Sequence, residues 1–200
     1  MLPLLLASAS PRRRELLERA GVPLEVRAAD VDEEPEPNEK PAHYVSRIAH
    51  AKAYAVARRP GQWVLAADTT VTIGGKILAK AATPEEAAMM LRQLAGRVHQ
   101  VITAFTILGD VEDSQFHRDG IITTDVVVID LDEVRIAEYV ASGEWRGKAG
   151  AYAIQGIGAA LVREVRGSVT NVIGLPLVEV LEALRAVGAP TGKLSAGTPA

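Results

Sequence analysis

The chain has 200 residues, 48% of them hydrophobic and 24% charged, with a formal net charge of −3. These fractions belong to a globular protein of one α/β domain or two small lobes, large enough to bury a core, and exclude a disordered or fibrous chain. The slight acidity offers no global field for nucleic acid or an anionic membrane, and the lack of cysteine excludes disulfides, thiolate nucleophiles and thiolate metal sites.

Leu2–Leu6 is apolar but too short for a membrane span or an export signal, and the arginines follow it rather than precede it. A cytoplasmic protein is expected. Pro3–Ala7 reads as a short buried strand and Pro11–Ala20 as a helix stopped by Gly21. Leu24–Ala28 is a second extended piece, leading into an acidic loop, Asp30–Lys40. Ala42–Arg58 reads as a helix, Trp63–Ala67 as a strand, and Thr70–Leu78 as a hairpin around Gly74-Gly75. Thr83-Pro84-Glu85-Glu86 starts a helix with a capping box and a proline in the first turn, and Gly96 ends it. Val98–Leu108 and Ile121–Ile129 read as strands separated by a polar loop. They are followed by a helix at Asp132–Ser142, a strand at Ala159–Val165 and a last helix at Leu177–Val187. The Pro-, Gly-, Ser- and Thr-rich tail Gly188–Ala200 is expected to be disordered, which leaves 1–187 as a single domain. The adjacent strands at 98–108 and 121–129 suggest antiparallel pairing. The expected class is therefore α/β, with a curved mixed β-sheet and flanking helices.

Ser8-Ala9-Ser10-Pro11-Arg12-Arg13-Arg14 carries the first chemical signal. Ser10 and Pro11 suit the N-cap and first turn of a helix, whose free N–H groups attract anions. Three arginines there oppose the helix dipole unless an anion lies between them, and their forked donors match phosphate oxygens. The alternative is a solvated basic turn balanced by Glu15 and Glu18. Lys52 falls within the apolar stripe of Val45, Ile48, Ala49 and Val56, so it either snorkels to water or meets an anion. In Trp63–Thr70 an apolar strand ends on Asp68, followed by Thr69 and Thr70. Asp68 could ligate Mg2+ or take a proton from water, or it could simply cap the hairpin. Of the acidic-loop residues Asp32, Glu33 and Glu34, Glu33 is the choice for a second metal carboxylate, the others reading as solvated. Lys148–Gly156 and Gly167–Pro176 are glycine-rich; Gln155 can read a base edge, and Lys148 adds a cation. The four histidines, His43, His50, His99 and His117, lack zinc spacing. No P-loop or G-x-S-x-G occurs, and Gly156-Ile157-Gly158 lacks the third glycine of a dinucleotide fingerprint.

Taken together in this order, LASASPRRRELL, LAADTTV, GRVHQVITAF, KAGAYAIQG and NVIGLPL resemble the Maf family of nucleoside triphosphate pyrophosphatases, from Leu5 to about Leu184. The resemblance implies two lobes around a deep central cleft, related to the inosine triphosphatase fold, often as a homodimer. It implies hydrolysis between the α and β phosphates with Mg2+ or Mn2+, acting on dTTP, UTP or modified pyrimidine triphosphates. It places the catalytic aspartate at Asp68 and phosphate binding at Ser8, Arg12, Arg13, Lys52 and Lys80. Metal binding falls on Asp68 and Glu33, and base selection on Arg12, Thr69 and Gln155. The chain departs from the family pattern at Ala81, where proline is usual, and at Gly147, where aspartate is common. Two rival readings stand beside this one: a pyrophosphatase for inosine- or xanthosine-type triphosphates, and a nucleotide-binding regulator of cell division or septum formation without chemistry. The regulator could bind nucleic acid instead, but the near-neutral composition argues against it, and neither nucleic acid nor a membrane is the expected partner.

Overall fold

Short apolar runs at strand spacing make the centre of the molecule. The computed structural model describes residues 2–111 and 114–192. In chain order its elements are β1 (Leu4–Leu6), α1 (Pro11–Arg19), β2 (Leu24–Val26), α2 (Pro41–Ala55), β3 (Val64–Ile73), β4 (Lys76–Leu78), α3 (Pro84–Leu94) and β5 (Val98–Val111). There follow β6 (Ser114–Val128), α4 (Glu133–Ser142), a 3-10 helix (Gly156–Leu161), β7 (Val162–Arg166), α5 (Val169–Ile173) and α6 (Leu177–Ala186).

All seven strands form one mixed sheet in the order β2-β1-β3-β5-β6-β7, with β4 added to β3. β1 is parallel to β2 and β3, and every other pairing is antiparallel. The expected α/β class with a mixed sheet is what the chain adopts.

Successive strand residues face opposite sides of a sheet. Leu4, Leu6, Leu65 and Ala67 therefore join Leu17 of α1 and Leu184 of α6 in one core, while Leu5, Val64 and Ala66 meet Ala53 and Val56 at the end of α2 on the other face. Leu17 is fully buried, which is worth about 2 kcal/mol. A second core gathers Val71, Leu91, Leu94, Val101, Ile136 and Leu161 under α3 and α4.

The register of β3 makes the opening between these two cores. β1 follows it only to the Leu6–Leu65 pair, and β4 joins the same edge only from Val71. Ala66–Thr70 thus have no strand beside them on that edge, and there the chain leaves β1 for α1.

Several sequence expectations need correction. The strand expected at Trp63–Ala67 and the first arm of the Thr70–Leu78 hairpin are one continuous strand, so Asp68 lies mid-strand rather than at a strand end. The β-branched run Thr69–Ile73 sustains the extended backbone. Within the polar segment expected as a loop, 109–111 and 114–120 are instead the outer arms of a long hairpin, with Leu108 paired to His117 and Phe105 to Gly120; residues 112–113 lie outside the described residues. The strand expected from Ala159 begins at Val162, after the 3-10 helix. α2 stops at Ala55 rather than Arg58. The expected tail is packed at its start, with Ala189 buried in the first core; residues 193–200 lie outside the described residues.

Candidate active site

A cleft of about 460 Å3 opens at the unpaired edge of β3. Ser8, Arg12, Arg13, Lys52, Asp68 and Thr69 line it, and so do Glu33, Lys80, Lys148 and Gln155. The structure thus brings to one place the residues that the resemblance assigns to catalysis, phosphate, metal and base, with Lys148 beside them.

Strand alternation divides the cleft. Asp68 shares the α2 face of β3 with Val64 and Ala66, and Lys52 of α2 donates to its Oδ1 at 2.8 Å. The same ammonium lies 2.6 Å from Oε1 of Glu33, and Lys80 Nζ is 3.3 Å from Glu33 Oε2. Lys52 therefore does not snorkel. It is 7% exposed, as is Asp68, and ends between two carboxylates. Burial opposes ionisation of Glu33, but the hydrogen bond and charge of Lys52, with Lys80 added, outweigh it and hold its carboxyl below the usual range.

Glu33 is held there by its loop's attachments to α2. Tyr44 Oη donates to the Glu33 carbonyl at 3.0 Å, and Arg47 Nη2 donates to the Glu34 carbonyl at 3.0 Å while pairing with Glu39 at 2.7 Å. Burial, then the nearby charges of Asp68 and Glu33, push the Tyr44 hydroxyl up to about 12. Asp32 makes a local turn instead, accepting from the Glu34 N–H at 2.9 Å.

Thr69 points to the opposite face, toward α1. Ser10 caps α1 as expected, its Oγ accepting from the Arg13 N–H at 3.5 Å. Arg13 turns inward and is 7% exposed. Its Nε donates to Gly174 O at 2.8 Å, Nη1 to Ser8 Oγ at 3.2 Å and Nη2 to Thr69 Oγ1 at 3.0 Å. Two of its five N–H donors remain for a ligand. Burial depresses its pKa, partly countered by the charge of Asp68. Arg12 Nε donates to Ile173 O at 3.2 Å, whereas Arg14 turns away to pair with Glu18 at 2.7 Å. The three-arginine turn thus gives two arginines to the cleft and one to the surface.

The Thr69 hydroxyl also lies 2.9 Å from Thr103 Oγ1 and 3.2 Å from Gly174 O. Its one donor and two lone pairs face three protein partners, while Thr103 Oγ1 also donates to Asn171 O at 3.3 Å. Sequence reasoning missed Thr103, which faces Thr69 across the β3–β5 pairing. It also missed Asn171, fully buried, whose Nδ2 donates to Val101 O at 3.0 Å and Thr124 Oγ1 at 2.9 Å. The Asn171 position in NVIGLPL was visible, but its partners lie on distant strands.

The remaining wall is mixed. Val71, Val101, Ile154 and Val172 give it apolar surface, and Lys148 adds a half-buried ammonium whose pKa is lowered by burial and then by Arg12. Lys52 and Lys80 are offset by Asp68 and Glu33, whereas Arg12, Arg13 and Lys148 have no carboxylate in salt-bridge range among the described residues. Ala81 is buried against the second core, and Gly147 takes a left-handed φ of 68° at the cleft wall. Among the described residues no helix is long and apolar enough to cross a membrane.

Comparison with known proteins gives the family. A "dTTP/UTP pyrophosphatase" of Anaeromyxobacter dehalogenans (strain 2CP-1 / ATCC BAA-258) is 49% identical over 187 residues, covering 94% of this chain and 95% of the relative. Proteins of the same description from Geobacter sulfurreducens and Myxococcus xanthus are 48% and 47% identical, covering 93% and 94% of this chain and 97% and 93% of their own lengths. A solved HAM1 protein from Coxiella burnetii superposes with a TM-score of 0.51 at 14% identity, over 93% of this chain and all of that one, which shows a shared fold. The family described as "Maf-like protein" matches residues 3–187, and the chain belongs to the Maf family.

Proposed function

We propose that this protein hydrolyses nucleoside triphosphates between the α and β phosphates, with dTTP and UTP preferred, releasing the monophosphate and pyrophosphate. The observation that carries this reading is a buried carboxylate, Asp68, held by Lys52 beside a cleft where Arg12, Arg13 and Lys148 have no carboxylate in salt-bridge range among the described residues. The names of relatives at 47–49% identity over more than nine-tenths of both chains support it.

In this reading Arg12, Arg13, Lys52 and Lys80 hold the triphosphate and stabilise the charge that develops on departing pyrophosphate. Ser8 assists by fixing Arg13 and adds a hydroxyl to the phosphate end of the cleft. Asp68 orients the attacking water and accepts its proton. No covalent intermediate is needed.

A divalent cation fits the donor set. Among the described residues no group of three or more acidic or histidine side chains could hold a metal alone. A hard ion that keeps several waters needs only one or two carboxylates beside substrate oxygens, and Asp68 with Glu33 meets that need. Mg2+ or Mn2+ bound there would polarise the α phosphate and lower the pKa of a bound water. Base selection is assigned to Gln155 and Arg12 at the cleft, with Thr69 acting through Arg13, which donates to its hydroxyl. The same proposal takes 1–187 as the catalytic unit, acting as a homodimer in the cytoplasm.

Pyrophosphate release from normal and modified triphosphates, with Mg2+, with Mn2+ and with a chelator, tests it. dTTP and UTP should lead, and the chelator should stop turnover. Purine cleavage without dTTP or UTP turnover would overturn the substrate assignment. Nucleotide binding with no release under any ion would overturn the hydrolytic one.

A further inference from the structure

The Gly156-Ile157-Gly158 segment has no phosphate-binding fingerprint, yet both glycines are demanded by their surroundings. Gly156 has φ 77°, and a Cβ there would meet Glu144 Oε1 at 2.1 Å. A Cβ on Gly158 would meet Ala153 O at 2.1 Å and Tyr139 Oη at 2.8 Å. The groups crowding these glycines are also those that hold the turn. Glu144 Oε1 accepts from the Ile157 N–H at 2.8 Å and Oε2 from the Gly158 N–H at 2.9 Å. Tyr139 Oη accepts from the Ala153 N–H at 3.1 Å, and Tyr152 Oη shares a 2.8 Å hydrogen bond with Nε2 of buried His99.

Gln155 sits inside this clamped stretch and lines the cleft. It is exposed, and among the described residues its side chain makes no hydrogen bond, so its backbone alone determines where the amide can reach. The clamp stands on firm ground. Gly143 ends α4 in the left-handed conformation, and Trp145 is buried with its Nε1 donating to Val140 O at 2.9 Å, which leaves Glu144 fixed between two anchored neighbours.

We infer that Glu144 is a positioning residue for base selection: its carboxylate grips two consecutive N–H groups behind Gln155 and sets where that amide meets the base. The carboxylate touches neither substrate nor the reacting atoms. Charge-assisted bonds to two backbone donors are stronger and more directional than neutral ones, which suits a residue that must fix a loop. The Ile157 N–H, ahead of the Gly158 N–H, correspondingly holds the Glu144 carboxyl below its usual range. This inference rests on Gln155 reading the base.

The test measures kcat and KM for dTTP and GTP in Glu144→Ala, Glu144→Gln, Tyr139→Phe and Gln155→Ala, with melting temperatures alongside. Glu144→Ala should cut the dTTP-to-GTP preference about tenfold, through KM for dTTP, while GTP turnover is unchanged. Glu144→Gln keeps one acceptor oxygen and should lose only about threefold. Tyr139→Phe deletes a single clamp atom on the same turn and should shift the ratio in the same direction, which settles the matter if Glu144→Ala does not fold. Combining Glu144→Ala with Gln155→Ala should lose no more preference than Gln155→Ala alone. An unchanged ratio in the clamp variants, or equal losses for dTTP and GTP, overturns the inference while Gln155→Ala still shows whether the amide selects the base. If Gln155→Ala itself keeps the preference, both fall together.

Discussion

Asp68 and Lys52 form one ion pair, yet removing one or the other should have unequal consequences. In Asp68→Asn, Lys52 keeps Glu33 at 2.6 Å, so no buried charge is stranded. The loss is then near that of one hydrogen bond, about 1 kcal/mol. In Lys52→Met, Glu33 keeps Lys80 at 3.3 Å, but Asp68 loses its salt-bridge partner while 7% exposed. Breaking a buried pair in that way costs about 3 to 5 kcal/mol. For a domain of this size, about 1 kcal/mol moves Tm by roughly 2–4 °C. Asp68→Asn should therefore melt about 3 °C lower and Lys52→Met about 10 °C lower. Turnover should respond in the other order of interest: Asp68→Asn loses about a thousandfold in kcat, because its amide neither accepts the water's proton nor binds a cation well. Calorimetric melting and a pyrophosphate-release assay on the same samples decide it. Equal Tm losses would refute the charge bookkeeping, and Asp68→Asn retaining more than about a tenth of kcat would remove Asp68 from the chemistry.

Arg13→Ala deletes donors to Gly174, Ser8 and Thr69, so it should lower stability by about 2–3 kcal/mol and weaken triphosphate binding far more than nucleoside binding; equal losses for the two ligands would deny it a phosphate role. Glu33→Gln removes the anion that now bridges Lys52 and Lys80, so pyrophosphate measured by calorimetry without metal should bind about threefold tighter or better, and unchanged affinity would show that this carboxylate does not compete with phosphate. Burial lowers His99 from 6.5 to about 4, opposed by Asp125. The unfolded chain then binds the extra proton first, so this stability is present above pH 6.5, shrinks as pH falls, and is gone near pH 4. The loss is roughly 3 kcal/mol, and denaturant titrations of His99→Phe should show a shallower acid slope across that window than the parent chain.

Much of the cleft was legible because its parts obey local rules. Lys52 stood out as a cation within the apolar stripe of a helix, and α1 announced itself through Ser10 and Pro11. Asp68 was legible in identity but not in setting. The apolar run before it suggested a strand end, while the threonines after it continued the strand at the edge that β1 vacates. The hairpin arms at 109–111 and 114–120 escaped because polar residues on both faces of β6 there erase the alternation that marks a half-buried strand. Thr103, Asn171 and Glu144 escaped for a different reason. Their partners are a distant hydroxyl, distant strands and backbone N–H groups, none of which leaves a residue-type signature.

The bonds from Arg12 to Ile173 and from Arg13 to Gly174 each span 161 residues. While the chain is being made, α1 emerges early, and the carbonyls that restrain its two inward arginines follow 161 residues later. Until then Arg12 has no fixed bearing on Asp68, and Arg13 has only its bonds to Ser8 and Thr69, however well the earlier strands have paired. A nascent chain stalled before Asn171 should therefore carry most of the sheet yet leave cellular nucleotides untouched, so that the nucleotide pool is exposed only to finished molecules.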